Sequence, residues 1–143
     1  MSKQISRRAA REQGFALLFT LSFHPNATAQ ELVAGAIDEN NGVTALAIDV
    51  FAEQLVTRTI EHLDEIDAGI ALRLKDWKME RISRVSLALL RLAVSELLYF
   101  DEIPTGVTIN EAVELAKRYG DEDTPSFVNG ILGTIARQMI EHS

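Results

Sequence analysis

Ile82-Ser83-Arg84-Val85-Ser86-Leu87-Ala88-Leu89-Leu90-Arg91-Leu92-Ala93-Val94-Ser95-Glu96-Leu97-Leu98-Tyr99-Phe100 contains the richest apolar run of the 143-residue chain, and its period decides the fold. Ile82, Val85, Leu89, Leu92, Ala93 and Leu97 recur at steps of three and four, with single-residue steps only where a helical stripe is two residues wide. That spacing lays one apolar stripe along a helix, whereas a half-buried strand would alternate every second residue. A long helix is expected from about Met79 to Phe100. Arg91 and Glu96 interrupt the run, which is also too short to span a bilayer.

The same period extends in both directions. On the N-terminal side, Ile5, Ala9, Phe15, Leu18 and Phe19 share one face of a first helix that Pro25 closes. Thr28 and Glu31 have capping-box spacing, which predicts a short second helix running out at Asn40-Asn41-Gly42. Thr44 is the expected cap of a third, with Leu46, Ala47, Val50, Phe51 and Leu55 inward. Asp64 is the expected cap of a fourth, carrying Ile66, Ile70 and Leu74. On the C-terminal side, Pro104 and Gly106 mark a connection, and Thr108 with Glu111 repeats the capping-box spacing for a helix stopped at Gly120. Thr124-Pro125 opens the last helix, with Val128, Ile131, Leu132, Ile135 and Met139 as its buried positions. All three prolines fall between helices. Period and punctuation agree on an all-α bundle of about seven helices, and no repeat or linker divides residues 1–143 into more than one domain.

Composition narrows the function. There is no cysteine, so neither a disulfide framework nor a thiolate metal site is expected. The N-terminus has no apolar segment after its basic residues, as a signal peptide would. A cytoplasmic location is expected. His24, His62 and His142 are scattered, no glycine-rich phosphate loop follows a strand, and the serines at 83, 86 and 95 lie within a helix. No enzyme, metal or cofactor is expected.

The net charge of −7 conceals an asymmetry. Lys3, Arg7, Arg8 and Arg11 give the first 11 residues +4 with no acid, while the remaining ten basic residues face all 21 acids, leaving −11. A basic arm on an acidic body calls for an anionic partner. The three arginines lie largely off the apolar face of the first helix and are expected to be free. Two other features invite packing explanations. Gly130 inside the last helix suggests close approach of another backbone, and Asn129 beside it is expected to be buried and internally hydrogen-bonded. After Trp77, the arginines at 81, 84 and 91 cross the central helix, and a buried one would need Glu96 or Glu111 as partner.

Four blocks carry a family resemblance. Arg7-Arg8-Ala9-Ala10-Arg11-Glu12 followed by Ala16-Leu17-Leu18-Phe19, then Leu90-Arg91-Leu92-Ala93-Val94-Ser95-Glu96-Leu97, resemble the opening and the central helix of the NusB family. Ile103-Pro104 with Val107-Thr108-Ile109-Asn110-Glu111-Ala112-Val113-Glu114-Leu115-Ala116-Lys117, and Phe127-Val128-Asn129-Gly130-Ile131-Leu132, are similar to its last two motifs. The resemblance implies transcription antitermination on ribosomal RNA operons. In that family the protein pairs with the small-subunit ribosomal protein NusE, and the pair binds single-stranded boxA RNA, contacting the elongating RNA polymerase indirectly. It implies that Lys3, Arg7, Arg8, Arg11, Asp123 and Phe127 face the RNA, and that Phe19 and Ser86 face the protein partner. Phe19 stands where the family often has tyrosine, and Ser86 where some members carry an acid. A homodimer is possible. The alternatives are a protein-interaction bundle that does not touch RNA, and an isolated NusB-like domain of the kind found in RNA methyltransferases.

Overall fold

The computed structural model describes residues 5–39, 48–74 and 78–141. Those residues form seven α-helices: α1 (Arg7–Leu21), α2 (Ala29–Glu39), α3 (Val50–Glu61), α4 (Leu63–Leu72), α5 (Arg84–Tyr99), α6 (Thr105–Tyr119) and α7 (Thr124–Glu141). A 3₁₀ turn at Met79–Arg81 precedes α5, and no strand occurs among the described residues. No described helix is long and apolar enough to cross a membrane.

The opening stretch is the hub. Its helix, α5, packs against α1, α3, α4, α6 and α7. Leu89, Leu90, Leu92 and Ala93 of α5 are buried in one core with Leu18, Leu55, Ile66, Ile70, Leu115, Val128 and Leu132. Because α5 is covered on nearly every side, its apolar surface is wider than the single stripe the period predicts: Ala88, Leu90 and Val94 are buried as well. The α1–α5 crossing is close at Gly14, where a Cβ would lie 3.1 Å from Leu92 Cδ1.

Helix starts follow local chemistry. At α2 the capping box forms as expected: Glu31 N–H donates to Thr28 Oγ1 and Thr28 N–H to Glu31 Oε1, both at 3.1 Å. Helix α5 starts five residues later than Met79, because the Ser83 hydroxyl accepts from Ser86 N–H and provides a cap. Thr44, Leu46 and Ala47 lie outside the described residues, as do Asn40, Asn41, Gly42 and Trp77. Helix α3 is capped by Asp49, whose carboxylate accepts from Phe51 N–H at 2.8 Å. Val50, expected inward, is the first residue of that helix and is 59% exposed. Helix α4 begins one residue before Asp64, with His62 at the cap position.

Two packing expectations fail at the C-terminal end. Helix α6 begins at Thr105 after Pro104, so Thr108 lies inside it and its hydroxyl serves a different purpose. Asn129 and Gly130 are exposed, and nothing lies within 4 Å of a Cβ built at Gly130. The glycine that does admit a close approach besides Gly14 is Gly120, where a Cβ would fall 2.5 Å from Thr124 Cβ. Its bareness lets the Thr124 hydroxyl accept from Asp121 N–H and fasten the α6–α7 turn.

Candidate nucleic-acid interface

Ser6 caps α1 by accepting from Ala9 N–H at 3.0 Å, and this places Arg7 and Arg8 in the first turn. No acid sits in that turn. A helix N-terminus carries partial positive charge, so two arginines there oppose the local field. Helix stability does not ask for that arrangement. An approaching anion would meet both guanidiniums and the field that they share.

The three arginines of α1 are held in three ways. Arg7 is exposed, and its guanidinium carbon stands 3.9 Å over the Phe51 ring centroid. Arg8 makes a two-pronged pair with Glu111 of α6: Nε donates to Oε2 at 2.9 Å and Nη2 to Oε1 at 3.0 Å. Its side chain remains 59% exposed, against 15% for Glu111. The Arg8 hydrogen bonds hold the Glu111 carboxyl below its ordinary pKa against the opposing effect of burial, with the charges of Arg8 and Arg11 adding to the lowering. In return Glu111 keeps Arg8 more firmly protonated.

Arg11 is not free, contrary to the expectation from its position. It is 5% exposed, and its Nε and Nη2 donate to Glu96 of α5 at 2.6–3.2 Å. Thr108 of α6 completes the junction by donating its hydroxyl to Glu96 Oε1 at 2.8 Å. The helical wheel puts position 11 near the edge of the apolar face, and Glu96 draws it inward. Glu96 and Glu111 do hold arginines, but those of α1. On the central helix, Arg91 instead pairs with Asp67 of α4 at 2.7 and 2.9 Å.

The other expected site residues are dispersed. Lys3 lies outside the described residues. Asp123 is exposed in the turn before α7, its N–H donating to Asp121 Oδ1. Phe127 is half-buried and packs against the core. Neither shares a hydrogen bond or ion pair with the α1 arginines among the described residues. Ser86 is buried beneath Ser83, whose hydroxyl lies 3.0 Å from its own, so it presents no surface to a protein.

Phe19 belongs to a feature not anticipated from the sequence. Tyr119 and Phe15 lie 5.1 Å apart by ring centroids, Phe15 and Phe19 6.1 Å, and Phe19 and Phe23 5.4 Å in an edge-on contact. Arg118 stands 5.4 Å from the Tyr119 centroid at one end, and Arg84 4.5 Å from that of Phe23 at the other. The outer rings, Tyr119 and Phe23, are 41% and 52% exposed. The step of four through residues 15, 19 and 23 is visible in the sequence and was the available signal.

An exposed two-arginine helix start, with a strip of aromatic rings further along the same helix, marks the bundle as a helical binding protein. The chain belongs to the NusB family, whose model matches residues 8–137. It is 42% identical over 134 residues to the transcription antitermination protein NusB of Exiguobacterium sp., covering 94% of this chain and 99% of that one. Among solved structures, T. maritima NusB superposes with a TM-score of 0.77 at 38% identity, covering 94% and 93% of the two chains. A chain from a complex of the antitermination factors NusB and NusE with double-stranded RNA superposes with a TM-score of 0.77 at 30% identity, covering 92% and 96%.

Proposed function

We propose that this chain is a transcription antitermination factor that acts by binding RNA together with a NusE-type ribosomal protein, as one domain spanning residues 1–143 in the cytoplasm. The observation that carries the RNA-binding role is the exposed pair Arg7 and Arg8 in a helix turn where stability alone would favour acids. Family membership and likeness to a NusB chain solved with NusE and RNA support it. The target we assign is the single-stranded boxA element of nascent ribosomal RNA, met by Arg7 and Arg8 with Lys3 extending the arm and Asp123 and Phe127 at its margin. The protein partner docks on the aromatic strip around Phe19. Antitermination then follows from tethering the RNA to the elongating polymerase, which raises the effective concentration of each for the other. Arg11 leaves the RNA-facing set, since its donors are engaged inside the fold.

The test is a salt titration of boxA RNA affinity with the partner protein present, comparing the parent with the double variant Arg7→Ala/Arg8→Ala. Affinity should drop sharply. The slope of log affinity against log salt should flatten by roughly 0.7 per lost phosphate charge, hence by about 0.7 for Arg7 and by less for Arg8, whose charge Glu111 balances. Melting should barely change, because both side chains are exposed. Unchanged affinity and slope would make the arm a solubilising end and leave a protein-interaction bundle as the function.

A further inference from the structure

Arg7 and Arg8 are neighbours in sequence, but only one of them keeps its full charge. Arg7 rests on the face of Phe51, which fixes the guanidinium plane and neutralises nothing. Arg8 is met by a carboxylate that takes Nε–H and one Nη2 hydrogen. A guanidinium has five N–H donors in a rigid fork. Three therefore remain on Arg8: one on Nη1 and one on Nη2 form the end-on edge next to the one Glu111 occupies, and the second on Nη1 points back toward Cδ. That edge is wide enough for two oxygens of one phosphate.

We propose that Glu111 is a positioning and specificity-determining residue for RNA binding: it fixes the direction of the free edge of Arg8 while cancelling its charge. The inference rests on the RNA-binding role of the arm proposed above. The physical distinction is between a bare charge and an oriented fork. A bare arginine attracts any polyanion from any direction, because non-specific affinity comes from phosphate charge and counterion release. A neutralised pair gives little long-range attraction, yet its remaining donors still form charge-assisted hydrogen bonds with a phosphate lying in line with them. Pairing also removes rotamer freedom that binding would otherwise have to remove. Glu111 is fit for the task because it is itself fixed: its side chain is mostly buried on α6, and its pKa lies below the ordinary value, so it stays ionised wherever the protein is folded at neutral pH.

The experiment measures affinities of the intact protein, partner present, for boxA RNA and for a poly(A) homopolymer. It uses Glu111→Gln, Glu111→Asp, Arg8→Ala and Arg8→Ala/Glu111→Gln. Glu111→Gln frees the Arg8 charge, so poly(A) affinity should rise on the order of threefold at low salt, with a salt slope steeper by about 0.7. BoxA affinity should rise less, so that the ratio between the two RNAs narrows. Glu111→Asp keeps the charge but is one methylene too short for the two-pronged pair, so boxA affinity should fall with no gain for poly(A). In the Arg8→Ala background, Glu111→Gln should leave the ratio where Arg8→Ala put it. An unchanged ratio in Glu111→Gln, or the same narrowing without Arg8, overturns the inference while Arg8→Ala still weakens boxA binding. If Arg8→Ala alone changes neither affinity, Arg8 has no part in RNA binding and the inference falls, while the Arg7→Ala/Arg8→Ala titration still decides the RNA-binding role. Helical circular dichroism of each variant separates binding loss from unfolding.

Discussion

Two charged junctions tie α1 to α5 and α6, one buried and one at the surface, and both are built from arginine–glutamate pairs. In the inner one, Arg11, Glu96 and Thr108 join α1, α5 and α6 with both charges out of water. In the outer one, Arg8–Glu111 and Arg118–Glu12 bridge α1 and α6 at the surface, Arg118 and Glu12 approaching to 2.5 Å. The chemistry is the same, but solvent divides the consequences. Removing Arg11 from the inner junction strands the Glu96 charge out of water with only the Thr108 hydroxyl to meet it. At the outer junction both arginines stand well out in solvent, so their charges stay hydrated whether or not the glutamate is there. Stability therefore resides in the inner pair, and the outer seam is free to carry binding.

The largest effect expected from this contrast is at Arg11. Arg11→Ala leaves the Glu96 carboxylate buried and unpaired and should cost about 3–5 kcal/mol, read as a large fall in the denaturant midpoint, with RNA binding lost only along with the fold. An Arg11→Ala protein that melts like the parent would erase the distinction between the junctions. A smaller effect should appear at the glycine below. Gly14→Val drives methyl groups toward Leu92 Cδ1 and should destabilise by about 1–3 kcal/mol. Gly130→Ala should instead stabilise by up to about 1 kcal/mol, since the site is an open helical position. The reverse order in thermal melts would mean that the α1–α5 crossing is looser than its 3.1 Å approach indicates.

The smallest effects belong to the outer seam. Arg118→Ala should change stability by no more than about 1 kcal/mol, and less at high salt. Glu111 adds a pH signature of definite sign. Its folded-state pKa is depressed, so its stabilising contribution is fully present above the ordinary carboxylate pKa and disappears as the pH falls through the lower folded value. The stability gap between the parent and Glu111→Gln should thus be seen at neutral pH and close in acid. A gap that widened on acidification would contradict the cause assigned to the shift.

The helices were legible because period and punctuation are local properties. The stripe through Leu89, Leu92 and Ala93 and the Thr28–Glu31 box depend on residues a turn or two apart. The misplacements came where one residue type has two uses. Thr108 has capping spacing with Glu111, but Pro104 had already opened the helix, leaving the hydroxyl for Glu96. Asn129 suggested burial because its neighbours Val128 and Leu132 are buried, and Gly130 a close approach because glycine is costly within a helix, yet the wheel turns those two outward. At the candidate site, the cationic arm was visible as a count of charges. Its division among Phe51, Glu111 and Glu96 was not, because each of those partners is distant in sequence and only the tertiary fold brings it near.

That distance has a consequence for the order in which the molecule becomes itself. Arg8 and Glu111 are 103 residues apart and Arg11 and Glu96 are 85 apart. The cationic helix leaves the ribosome well before the carboxylates that hold Arg8 and Arg11. Contacts of such long separation close late, after the intervening loop entropy has been overcome. A nascent chain stopped before α5 would carry the arginines of the arm and the ring beneath Arg7, but neither carboxylate that orients Arg8 and Arg11. The ability to hold an anion in one direction is thus acquired only once α5 and α6 have followed α1 and folded against it.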